Sequence, residues 1–153
     1  RPIPISKNSE LVTKDDLKFL VDKLISLKKT TGKVFRIANP IPFCFYNPNK
    51  VNSVALGSIC EGNLRCIIDP RGFVKPIYYM NEDVGKANNI LEAWNSQFMK
   101  NLKNLEYLPQ ECQNCFFKKK CRGGSRFMAK LYYGNYYAPD PLADFSNPQI
   151  KSN

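Results

Sequence analysis

Three thiols fall within ten residues of this chain, in the run Cys112-x₂-Cys115-x₅-Cys121. Two cysteines separated by two residues can turn both sulfurs toward one metal centre, and a third this close can join them. Thiolates suit zinc and iron–sulfur clusters. Lys118, Lys119, Lys120 and Arg122 lie in and beside the run. Positive charge lowers a thiol pKa and offsets the charge of a thiolate-bound cluster; the same lysines also fit a solvated loop. A second pair, Cys60-x₅-Cys66, enters a segment that reads as a hairpin. A cysteine inside a strand is usually a small core residue, but two at this spacing beside a metal-like run are candidate ligands. Cys44 stands apart, and core residue and ligand are equally open for it. The candidate metal ligands are therefore Cys112, Cys115, Cys121, Cys60, Cys66 and Cys44.

Composition removes several chemistries. The 153 residues include no histidine, which excludes His general bases, Ser-His-Asp and Cys-His triads and Cys₂His₂ zinc fingers. A metal must be held by sulfur, carboxylate, hydroxyl or backbone. Six cysteines permit three disulfides in a secreted chain. Against that, 43% apolar residues supply a core without covalent staples, and metal is the preferred reading. No apolar run approaches the roughly 18 residues a membrane span needs, and no basic segment leads into an apolar one as in a secretory signal. A cytoplasmic protein without a membrane partner is expected. A start at Arg1 reads as a processed product or a piece of a longer chain. The net charge of +10 favours polyanions such as nucleic acid or an acidic peptide, or simply reflects solvated lysines.

The elements that must position the thiols are legible in outline as an α+β fold. Residues 1–12 read as an extended arm. Thr13 and Asp16 form a capping-box pattern that opens a helix. Leu17, Leu20, Val21, Leu24, Ile25 and Leu27 give it an apolar stripe, and Gly32 ends it. Lys33 to Ile37 reads as a strand and residues 45–59 as loop. Residues 64–79 read as a hairpin around Asp69-Pro70-Arg71-Gly72, with Pro76 placing the return strand at an edge. One helix is predicted from Asn88 or Asn89 to about residue 104, burying Ile90, Leu91, Trp94, Phe98 and Leu102. Ser125 to Tyr133 reads as a last helix ended by Gly134, and the Tyr- and Pro-rich tail as loop.

From Cys60 to Asp144 the chain resembles the SPASM domain, the auxiliary iron–sulfur extension of radical SAM peptide- and protein-modifying enzymes. The matching residues are Cys60-Glu-Gly62, Ile68-Asp-Pro-Arg-Gly72-Phe-Val-Lys-Pro76, Cys112-x₂-Cys115-x₅-Cys121-Arg-Gly-Gly124-x-Arg126, and Tyr136 through Asp140-Pro141. The resemblance implies a division into a barrel-exit segment (1–44), a linker (45–59), the cluster domain (60–145) and a tail (146–153). It also implies up to two 4Fe–4S clusters, one using the positions of Cys60 and Cys66 and one using Cys112, Cys115 and Cys121. Three family thiols are missing: Ile77, Ser125 and Ala143 stand at or near their positions. One cluster is thus the expectation and two are not. Cys44 could add a thiol to the depleted first site. Asp140, Asp144, water or substrate could complete the second, and zinc in a Cys₃-plus-oxygen site is an alternative.

The Cys-x₃-Cys-x₂-Cys motif that binds the cluster cleaving S-adenosylmethionine is absent from the chain. Such chemistry would need a radical SAM barrel elsewhere, as a partner chain or a preceding segment, acting on a peptide or protein substrate. The competing expectation is a non-catalytic binding module, with Tyr132, Tyr133, Tyr136 and Tyr137 as a stacking surface for peptide or nucleic acid; such aromatics also fill cores.

Overall fold

The computed structural model describes residues 12–47, the backbone of 54–57, and residues 64–77 and 80–146. The expected arm, apart from Val12, lies outside them, as do Cys60 and nearly all of the expected tail. The described residues form an α+β structure with six helices and two small sheets.

Helix α1 spans Lys14–Thr31. Its start follows from local chemistry. The Asp16 N–H donates to the Thr13 hydroxyl at 3.1 Å, and the Thr13 N–H donates to the Asp16 carboxylate at 3.0 Å. Two otherwise orphan donors are satisfied reciprocally. Gly32 ends the helix in the left-handed region and donates to Lys28 O at 2.9 Å. Leu17 and Val21 are buried against Ile41, with Leu24, Ile25, Ile37, Phe45, Tyr46 and Leu142 packed around them. Leu20 and Leu27, also on the expected stripe, are exposed.

Strand β1 (Phe35–Pro40) pairs in parallel with β2 (Val54–Gly57), Phe35 opposite Val54 and Ile37 opposite Leu56. The expected loop over 45–59 thus contains a strand. Four residues are too few to show a period, and only the long-range partner reveals them.

The second sheet has the order β3 (Ile67–Ile68), β4 (Phe73–Lys75), β5 (Gly85–Lys86), all antiparallel. The hairpin turn is built on Asp69, whose carboxylate accepts the Arg71 N–H at 2.9 Å and the Phe73 N–H at 3.1 Å. The Arg71 guanidinium then bridges Asp69 and Asp83. The expectation that Pro76 makes the return strand an edge does not hold. β4 is central, and Pro76 falls one residue past its end, where no ladder donor is needed.

The single helix expected over about 88–104 is three pieces: a 3₁₀ turn (Ala87–Asn89), α2 (Ile90–Trp94) and α3 (Gln97–Asn104). Ser96 causes the break. Its hydroxyl accepts the Met99 N–H at 3.4 Å and caps a new helix, an alternative the backbone takes readily at serine. The restart changes the buried face. Ala93, Met99 and Leu102 are buried and Trp94 is half-buried, whereas Ile90, Phe98 and above all Leu91 (74% exposed) face outward. Met99, Leu102, Leu105, Tyr107 and Leu108 form the second core, against which Cys66, Val84, Trp94 and Cys112 pack.

Three short helices complete the chain: α4 (Gln110–Gln113), α5 (Lys118–Cys121) and α6 (Arg126–Tyr133). Ser125 caps α6 and Gly134 ends it, as expected. Removing the α1 cap with Thr13→Ala should cost about 1 kcal/mol, read as a lower urea midpoint at unchanged slope.

Candidate functional site

The thiol run is positioned by turns. Pro109 opens α4, and the Cys112 N–H donates to Pro109 O at 2.9 Å. The Cys115 N–H returns to Cys112 O at 3.2 Å, and Lys118 N–H to Cys115 O at 2.9 Å. Cys121 is the last residue of α5. Immediately after it the chain enters the left-handed region three times, at Arg122 (φ 51°), Gly123 (φ 80°) and Gly124 (φ 76°). The Gly124 N–H turns back to Cys121 O at 3.3 Å, and the Gly123 and Gly124 N–H groups lie close enough to the Cys121 sulfur to lower its pKa. A third donor arrives from far away in sequence: the Phe43 N–H lies 3.4 Å from Cys121 Sγ. Successive N–H groups converging on one atom make an anion-holding concavity.

The two glycines meet steric as well as conformational demands. A Cβ on Gly123 would overlap Leu108. One on Gly124 would lie 2.8 Å from Asp140 Cβ. Asp140 is buried and acts as a clasp: its carboxylate accepts the Ser125 N–H at 2.6 Å and the Leu142 N–H at 2.8 Å. Burial raises its pKa, opposed by those two hydrogen bonds and by Arg126.

Arg126 has no exposed surface. Its Nη1 donates to Tyr136 O at 3.0 Å and Ala138 O at 2.8 Å, and its Nη2 donates to Gly123 O. The guanidinium also stands 5.5 Å from the Tyr107 ring centroid. Tyr107 in turn donates to Arg122 O at 3.0 Å. Arg122 turns inward and donates to Leu102 O at 2.7 Å. It is therefore not the surface cation beside the thiols that its place in the basic run suggests. The cation acting on the Cys112 thiol is Arg126. Arg126 and Asp140 lie within the sequence motif, but their burial, and hence their role, could not be read from it.

Four cysteines gather here. Cys44, Cys112, Cys115 and Cys121 are within electrostatic reach of one another, each pair interacting. Cys44 sits in the turn after Ile41-Pro42, and its sulfur accepts the Asp144 N–H at 3.4 Å. Burial is the first cause that pushes Cys44 up to about 11 and Cys112 up to about 12, with the neighbouring thiols adding to it. Cys121 is raised by burial too, against its three backbone donors. All five described cysteines are free thiols. Among the described residues, no three Cys, Asp or Glu side chains are gathered tightly enough to hold a metal ion as posed. The thiols are neighbours, and each has other staggered χ1 wells to turn into.

Cys66 is not among the main influences on Cys44, Cys112 or Cys121. It packs, half-buried, against the second core. The positions where the family resemblance expects further thiols have other work. Ser125 caps α6, Ile77 is buried, and Ala143 donates its N–H to Asp140 O at 2.8 Å. Asp144 holds Ser146 rather than facing the thiols: Oδ1 accepts from Ser146 N–H at 3.1 Å. The tyrosines divide. Tyr136 is half-buried over Glu82, while Tyr132, Tyr133 and Tyr137 are exposed and so do not fill a core.

No protein-family model, curated protein or solved structure matches the chain. Among the described residues no helix is long and apolar enough to cross a membrane. Gly124→Ala should destabilise the protein by at least about 1–2 kcal/mol from the left-handed backbone alone, plus the displacement of Asp140. Asp140→Ala, which leaves two inward N–H groups without their acceptor, should cost about 1.5–3 kcal/mol. Thermal unfolding of both variants checks this.

Proposed function

We propose that this chain is an auxiliary iron–sulfur domain serving a radical SAM enzyme that modifies a peptide or protein. The observation that supports it most is the state of Cys121. This buried sulfur accepts the Phe43 N–H and lies beside those of Gly123 and Gly124, which offset part of the cost of burying its charge, and hydrogen bonds to the sulfurs are a main means by which proteins tune such clusters.

The donor chemistry fits the group, with the side chains having to turn into other rotamers to meet around it. Cys112, Cys115 and Cys121 supply three thiolates, the only ligand type here with the softness that iron–sulfur clusters and zinc prefer. When bound, a 4Fe–4S cluster would supply electron transfer or a binding point for substrate. The chain's own contribution is to keep the site dry and oriented. Phe117 is buried and packs edge-on against Phe43, with centroids 5.7 Å apart. Arg126 places positive charge behind Cys112. Reduction adds negative charge, which this cation and the backbone N–H groups around Cys121 would favour. Cys66 packs against the apolar core, and Cys60 lies outside the described residues.

Anaerobic reconstitution with ferrous iron and sulfide should yield about four irons and four sulfides per folded chain. A folded protein that retains neither rules the reading out. Because Cys112 and Cys121 are raised above the ordinary thiol pKa, they are protonated at neutral pH and must release protons on loading. Affinity should therefore rise with pH. With Co²⁺ as the probe, it should increase between about pH 6 and about pH 8; a flat profile counts against thiolate ligation.

A binding module with zinc at the thiols is the second reading. Exposed Tyr132, Tyr133 and Tyr137, exposed Lys119 and Lys120, and Phe116 at 74% exposure favour it. Affinity for single-stranded nucleic acid that falls steeply with salt would support this reading, and no binding at low salt would dismiss it.

A further inference from the structure

We infer that Cys44 is the fourth ligand of the site formed by Cys112, Cys115 and Cys121, so that a turn 68 residues upstream of Cys112 closes a four-thiol set. This rests on the reading above that these thiols hold metal.

The geometry is carried by three contacts. Phe43, next to Cys44, donates its N–H to Cys121 Sγ at 3.4 Å. Its ring packs on buried Phe117 of the α5 N-terminus. The Asp144 N–H reaches Cys44 Sγ at 3.4 Å. The 41–46 turn is therefore docked on the thiol run from one side and tied to the tail from the other. The turn itself is fixed by Pro42 O, which accepts from Phe45 N–H at 3.0 Å and Tyr46 N–H at 3.1 Å.

The alternatives for the fourth position are otherwise engaged. Asp140 holds Ser125 and Leu142, and Asp144 holds Ser146. Ala143 carries no donor side chain, and its carbonyl accepts from Lys14 Nζ at 3.2 Å. Cys66 packs on the second core. Among the described residues, Cys44 is the further buried thiol within electrostatic reach of the other three. Four thiolates around one centre match both a four-iron cluster and a structural zinc site, so the inference holds for either metal.

The test uses Co²⁺ as a thiolate-counting probe, together with alkylation mapping by mass spectrometry on the metal-loaded wild-type chain. Loading should protect Cys44, Cys112, Cys115 and Cys121 together and leave Cys66 reactive. In Cys44→Ser the sulfur-to-cobalt charge-transfer intensity should fall by about a quarter and affinity by more than about tenfold, since losing a ligand exceeds the effect of losing an outer partner. Circular dichroism confirms the fold of the variant, and the protection pattern needs no variant at all. Cys44 alkylated at the wild-type rate in the loaded protein, with the other three protected, overturns the inference and leaves the metal site standing. A Cys44→Ser protein that loads like wild type does the same. A wild-type chain that binds neither cobalt nor iron with sulfide overturns both.

Discussion

A single buried guanidinium organises the cysteine-bearing half of this molecule. Arg126 ties Gly123, at the end of the thiol run, to Tyr136 and Ala138 in the loop after α6. A buried cation is costly unless its donors are satisfied. Carbonyl oxygens meet both Nη atoms, the Tyr107 ring lies beside the group, and the Nε finds no partner among the described residues. The charge is further offset by Asp140 nearby. Remove this centre and the left-handed turn after Cys121 loses the donor that holds the Gly123 carbonyl inward.

That turn converts packing into chemistry. Three consecutive left-handed residues are costly for ordinary side chains, and two of the three are glycines pressed against Leu108 and Asp140. The conformation brings the Gly123 and Gly124 N–H groups back beside Cys121. The Phe43 N–H, delivered by the 41–46 turn, joins them. The segment that begins with α1 is thus no appendage. Its core includes Leu142 from the tail, and its turn supplies both a donor and a thiol to the site.

The electrostatics follow the same division between inside and outside. Lys119 and Lys120 remain in water, where their influence is screened. Lys118 bonds Gln113 at 2.8 Å. The cation felt by Cys112 is Arg126, in a medium of lower dielectric where one charge counts for more. Without a metal, the buried thiols stay protonated well above their usual range.

Local chemistry alone determined much of this protein. The Thr13–Asp16 capping box, the Gly32 stop, the Asp69 turn and the Ser125–Gly134 limits of α6 depend on neighbours within a few residues, so the sequence carries them directly. So does the proximity of Cys112, Cys115 and Cys121, which the chain cannot separate by more than a few turns. Tertiary structure decided the rest. The β1–β2 pairing and the third strand at Gly85 are too short to show a period. Ser96 had two local options, helix interior or cap, and the surface that buries Met99 and Leu102 chose between them. Cys44 looked solitary because spacing reports only on nearby residues. Its place beside thiols far along the chain was set by where Ile41 and Phe43 found apolar partners, and burial of that kind is settled only when the whole chain has packed.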